Sequence, residues 1–160
     1  MLKNLLKFIL NNFLSTPVNY FLKKKKFLII YRNGSAIGDH VYMSSIIKKI
    51  SEKKIFKILL FTNYYEFYIN NPRIYKLFKI NKKSPIWFLL NNLNSNSILE
   101  FRSTFDDNKN KHFLYNHKPS KIHLAQAMSS HFNLNIEYKN LENEIFFSKE
   151  EIEIYEKKIQ

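Results

Sequence analysis

A chain of 160 residues is long enough to bury one core, and its apolar and aromatic content is that of a folded rather than a disordered protein. It has no cysteine, which excludes a disulfide framework, a thiol nucleophile and a thiolate metal site, and fits a reducing compartment. The net charge of +13 favours anionic partners, yet Arg32, Arg73 and Arg102 are the only arginines, which argues against a dedicated nucleic-acid reader and for a lysine-rich solvated surface.

Residues 1–26 carry no acid. Leu2, Leu5, Leu6, Ile9, Phe13 and Leu14 recur at helical spacing, with Lys3, Asn4, Lys7, Asn11 and Asn12 mostly on the other side, so an amphipathic basic helical segment is expected. Thr16 and Pro17 read as the cap and first turn of a second short helix ending in Lys23 to Lys26. Polar residues interrupt the segment too often for a membrane span, which needs about 20 apolar residues. It also lacks the cleavage site of a signal peptide. Two readings stay open: a helix resting on an anionic inner leaflet, or one packed on the chain's own core.

From Phe27 the pattern alternates between short apolar runs and helical stretches. "FLIIY" (27–31), "IFKILLFT" (55–62), "RIYKLFKI" (73–80) and "SILEF" (97–101) read as strands. Between them a helix is expected through about Glu52, a short one at 63–69 stopped by Asn71-Pro72, and one at 84–93 with Ser84 as cap and Pro85 at its first position. A polar loop follows at 106–120, then a helix at 121–132. An acidic helix behind Ser148 runs to the last residue, as though a longer chain had been cut. This alternation predicts an α/β domain over 27–160, a parallel sheet with helices on both faces.

Both glycines, Gly34 and Gly38, fall in the loop after the first strand, in "RNGSAIGDH". In an open parallel sheet ligands bind at such loops, beyond the carboxyl ends of the strands. Gly38 would permit a positive φ or the close approach of a ligand. Asp39 stands at the start of the next helix. There it would cap free amides, or face a ligand as a general base kept ionised by the helix N-terminus. The loop is not a P-loop, because Asp39-His40 follows the second glycine in place of Lys-Ser/Thr. It is not a dinucleotide fingerprint either, because the spacing is G-x-x-x-G with no third glycine.

"FLIIYRNGSAIGDHVYMSSIIKKI" resembles the opening of glycosyltransferase family 9, the lipopolysaccharide heptosyltransferases and their relatives, at Ile29, Ile30, Arg32, Ile37, Gly38 and Asp39. The order downstream is similar too: a second strand, Asn71-Pro72 before a third, "ILEFR", and a histidine-bearing helix ending in "HFNL". The resemblance spans about residues 27–160. Ser44-Ser45 stand where members usually carry Thr-Pro.

The family implies a GT-B architecture of two Rossmann-like domains. The N-terminal one faces an acceptor sugar, and the C-terminal one holds a nucleotide-sugar. On that pattern the chain is the acceptor-side half, with the donor domain absent or supplied by a second chain. The implied reaction moves a sugar, for instance a heptose, onto a lipid-linked or other glycan acceptor, with inversion and without a metal or other cofactor. Asp39 maps onto the family's proposed base. The expected place is the cytoplasm, peripheral on the inner face of the cytoplasmic membrane.

Arg32 and Arg102, at the ends of the first and fourth strands, would suit a phosphorylated acceptor. His40 could touch the acceptor or be a bystander, and Gly38 would shape the loop. His112, His117, His123 and His131 have no i, i+4 spacing and few acids nearby, so no metal site is expected. His123 and Lys121 open a predicted helix and could line the cleft or lie in solvent. The aromatics of "NYYEFYI" read as packing, not a base-stacking platform. The alternative to a transferase is a non-catalytic Rossmann-like module that binds anionic lipid or nucleic acid through its lysines.

Overall fold

Four runs of β-branched and aromatic residues form one sheet in the computed structural model, which describes residues 2–32, 37–53, 55–101 and 142–159. In chain order the elements are α1 (Leu2–Ile9), a π-helical stretch (Leu10–Leu14), α2 (Ser15–Lys25), β1 (Phe27–Arg32), α3 (Ile37–Glu52), β2 (Lys57–Thr62) and α4 (Tyr65–Tyr68). After them come β3 (Ile74–Lys79), α5 (Pro85–Asn92), β4 (Ile98–Glu100) and α6 (Lys149–Ile159). Every strand pair is parallel and the strand order is β3-β2-β1-β4. The predicted loop at 106–120 and helix at 121–132 lie outside the described residues, as do Gly34, Arg102, His112, His117, His123 and His131.

Side chains alternate across a strand, so β1 feeds two cores. Leu28 and Ile30 point to one face, where α3 supplies Met43, Ile46, Ile47 and Ile50 and α4 supplies Tyr68. Ile29 and Tyr31 point to the other, where α2 supplies Leu22 and α5 supplies Leu90. The architecture is thus α/β, a four-stranded parallel sheet with helices on both faces. The chain winds from β1 out through β2 to β3, then returns across the sheet to place β4 on the far side of β1. α3 follows β1 on one face and α5 precedes β4 on the other, so the switch point lies between β1 and β4 at their carboxyl ends, where open parallel sheets have their ligand crevice.

Local chemistry explains several boundaries. The Ser84 hydroxyl accepts a hydrogen bond from the Trp87 amide at 3.1 Å, with Pro85 in the first turn behind it. Ser148 and Glu151 form a reciprocal capping box at the start of α6: the Glu151 amide donates to Ser148 Oγ at 3.1 Å and the Ser148 amide to Glu151 Oε2 at 2.7 Å.

The first helices depart from expectation. Thr16 caps nothing, because the chain does not restart there. Ser15 sends its amide to the Leu10 carbonyl, one residue further back than an α-helix would. A proline at position 17 cannot donate to the Phe13 carbonyl and crowds it. The widened turn just before relieves that crowding without ending the helix. Ser15 Oγ donates to the Leu10 carbonyl at 2.9 Å and accepts from the Asn94 amide at 2.9 Å, which ties this bend to the end of α5. α2 then packs on the sheet through Leu22, so this part of residues 1–26 belongs to the domain's own core. No described helix is long and apolar enough to cross a membrane.

Candidate functional site

The β1–β4 crevice is where the sequence placed its candidates. Arg32 is the last residue of β1, and it is buried. Its Nη1 donates to the Phe101 carbonyl at 2.9 Å, just past β4, and its Nη2 to Asp39 Oδ2 at 3.4 Å. The Phe101 amide donates in turn to the Tyr31 carbonyl at 2.9 Å. One guanidinium therefore spans the switch point, joining the end of β1, the exit of β4 and the first turn of α3. This planar fork reaches two acceptors at once, a geometry lysine lacks. Arg32 thus holds two acceptors of its own fold at the strand end where the sequence predicts a phosphate contact.

Asp39 sits in the first turn of α3, at the carboxyl edge of the sheet. Its side chain keeps 16% of its surface exposed, so it is held by Arg32 yet reachable from solvent. Gly38 lies in helical backbone, so a positive φ is not what calls for glycine here. A Cβ built on it would meet nothing within 4 Å, which means open space flanks the helix start beside Asp39. Gly38→Ala is therefore expected to stabilise the fold by about 0.5–1 kcal/mol, because alanine loses less backbone freedom in a helix. A thermal melt measures this; a lower melting temperature would mean the space is not free.

His40 is part of a helix and not of a loop, and it faces away from the crevice. One residue on from Asp39 the helix turns by about 100°, which carries the imidazole into the core between α3 and α4. It is fully buried, with its ring centroid 4.3 Å from that of Tyr64 and 5.7 Å from that of Tyr68. The Tyr68 hydroxyl donates to the His40 carbonyl at 3.0 Å, so it accepts from the ring Nδ1–H at 3.1 Å. Burial, helped by the nearby Arg32 charge, lowers the His40 pKa to about 4, and the ring is neutral at physiological pH. Ser44 and Ser45 are fully buried as well, and their hydroxyls donate to the Val41 and Tyr42 carbonyls, each at 2.7 Å. They serve the packing of α3 and do not face the crevice.

Sequence reasoning missed one cluster, at the other edge of the sheet. Glu144 takes two donors from Arg73 and a third contact from Lys48 at 3.2 Å; Lys48 also meets Glu142 at 2.6 Å. These cations, Arg73 foremost, hold the Glu144 carboxyl below its ordinary range. The Glu144 amide donates to Ser44 Oγ at 3.2 Å, so the segment before α6 is clasped against α3. Nothing local announces a pairing between positions 71 residues apart. Among the described residues no group of three or more histidines and carboxylates stands where it could hold a metal ion.

No family model matches the chain, and no match was found to a curated protein or to a solved structure.

Proposed function

We propose that the chain is the acceptor-binding half of a glycosyltransferase similar to family 9, with Asp39 as the general base. The observation that carries this reading is a largely buried carboxylate with one edge still exposed, in the first turn of α3, beside open space, at the switch point of a parallel sheet. A base must be held in place and still be reachable by the hydroxyl it deprotonates. Arg32 supplies the first condition, and the open space over Gly38 the second.

In the proposed reaction an acceptor hydroxyl enters from the crevice, and the Asp39 carboxylate removes its proton as the oxygen attacks the anomeric carbon of a nucleotide-sugar. The bond from that carbon to the leaving phosphate oxygen breaks, its electron pair leaves with the nucleoside diphosphate, and the configuration inverts. The donor requires a second domain, from further sequence or another chain, across the crevice. Arg102, next to Phe101 in sequence, is the proposed contact for a phosphorylated acceptor. A lipid-linked acceptor would place the reaction at the cytoplasmic face of the membrane.

The test is sugar transfer by the chain assembled with its donor-side domain, measured as nucleoside diphosphate released in the presence of acceptor. Asp39→Asn is expected to lower the rate by about 10²–10⁴-fold, the usual contribution of a general base, with the far-ultraviolet spectrum unchanged. Transfer at the native rate by that variant rejects the assignment.

A further inference from the structure

Amphipathic helices on a protein's surface usually bury their apolar side against their own domain. α1 does not: every described side chain from Asn4 to Ile9 is exposed. Leu5, Leu6 and Ile9 fall within an arc of about 100°, yet they are 55%, 44% and 37% exposed. Asn4 and Lys7, on the other side, are exposed as well, at the rim of a groove of about 600 Å³ that they line with Lys82, Trp87, Phe88, Asn91 and Asn92 of the α5 region. Among the described side chains of residues 4–14 only Leu10 is buried. Phe13, just beyond, is 66% exposed.

Charge decides what covers this side. Neither residues 1–38 nor residues 67–99 contain an aspartate or glutamate, so α1, α2 and α5 carry no carboxylate side chain. Lys7, Lys23, Lys24, Lys25, Lys26, Lys82 and Lys83 all belong to these stretches. Two copies of such a face would bring only like charges together. An anionic bilayer surface offers what the face lacks: negative phosphates for the lysines and an apolar boundary for the leucines.

We propose that α1 docks the chain on an anionic lipid surface, with Leu5, Leu6, Ile9 and Phe13 in the headgroup–acyl boundary and the long side chains of Lys7 and Lys82, both exposed at the rim of the groove, reaching up to headgroup phosphates. Lys82 lies just past the carboxyl end of β3, at the same edge of the sheet as Asp39. Docking thus brings that edge towards the membrane. The inference does not rest on the transferase reading, and its test involves no sugar transfer.

The full chain is mixed with phosphatidylcholine–phosphatidylglycerol vesicles and with phosphatidylcholine vesicles, and bound protein is measured by flotation. Binding to the anionic vesicles is expected to be at least about tenfold tighter and to weaken with salt. The triple variant Leu5→Ser, Leu6→Ser, Ile9→Ser, which alters exposed side chains only, is expected to lose more than about tenfold. Lys7→Gln and Lys82→Gln are each expected to lose about fivefold. Trp87, the only tryptophan, lines the groove, and its emission is expected to shift to the blue on anionic vesicles. Two results overturn the proposal. One is native binding by a triple variant that circular dichroism shows to be folded. The other is a dimer in vesicle-free solution that the same variant dissolves, which assigns the face to a second copy of the chain.

Discussion

Lowering the pH from 6.5 to 4.5 is expected to remove about 2–3 kcal/mol of folding stability through His40. The sign follows from where the proton binds. In the unfolded chain the imidazole titrates near 6.5, and in the folded chain only near about 4. Between these values the unfolded state holds a proton that the folded state refuses. Each unit of acidification therefore costs about 1.4 kcal/mol, and the loss levels off once the folded ring protonates too. Above pH 6.5 the group is neutral in both states and contributes no slope.

The carboxyls of Glu142 and Glu144, held down chiefly by Lys48 and Arg73 respectively, begin to lose their contribution as the pH falls through the ordinary carboxylate range, at the acid end of this interval. The upper part of the window, from 6.5 to about 5.5, thus isolates histidine. Urea denaturation at intervals across it measures the slope. His40→Gln is expected to flatten the slope by the His40 share, while lowering stability at neutral pH because the imidazole's packing and its bond to Tyr68 are lost. Tyr68→Phe is expected to keep the slope and cost about 1–3 kcal/mol, since it leaves the buried Nδ1–H without its acceptor. If native protein and His40→Gln share one slope, the imidazole is not the buried neutral group described above.

The same residue shows where a sequence is legible. His40 was read as the neighbour of Asp39, because in a loop adjacent residues share surroundings. In a helix they do not. His40, Met43 and Ile47 stand at i, i+3 and i+7 and are all buried, so the periodicity carried the signal once the helix was begun at Ile37. The strands were plain because runs such as "FLIIY" meet core on both faces, and Ser84-Pro85 and Ser148 placed two helix starts through hydrogen bonds that span three residues. Thr16-Pro17 misled because proline at a first turn and proline behind a widened turn look alike until the backbone is seen. The Arg73–Glu144 clasp was out of reach because only the folded chain brings its members together. The exposure of α1's apolar side was hidden for a related reason: a hydrophobic pattern fixes which side chains share a side, not whether the fold covers it.

Arg32 carries the other large expected effect, because it ties together the three elements that form the crevice. Arg32→Ala is expected to cost about 2–4 kcal/mol: it removes a buried side chain, a donor to the Phe101 carbonyl and the partner of Asp39. Arg32→Lys keeps the charge but cannot span two acceptors in the same plane, and is expected to cost roughly half as much. Asp39→Asn alone is expected to cost about 1 kcal/mol, since its single 3.4 Å contact is partly open to solvent. Urea denaturation of Arg32→Ala, Asp39→Asn and the double variant closes a thermodynamic cycle, with a coupling of about 0.5–1 kcal/mol expected for the pair. Additive losses would mean that Arg32 does not position the carboxylate. The cycle also separates positioning from chemistry. Arg32→Lys leaves the Asp39 carboxylate in place with a cation beside it, so transfer should fall far less than in Asp39→Asn. Equal losses in the two variants would assign the effect to the shape of the switch point and take the base role from Asp39.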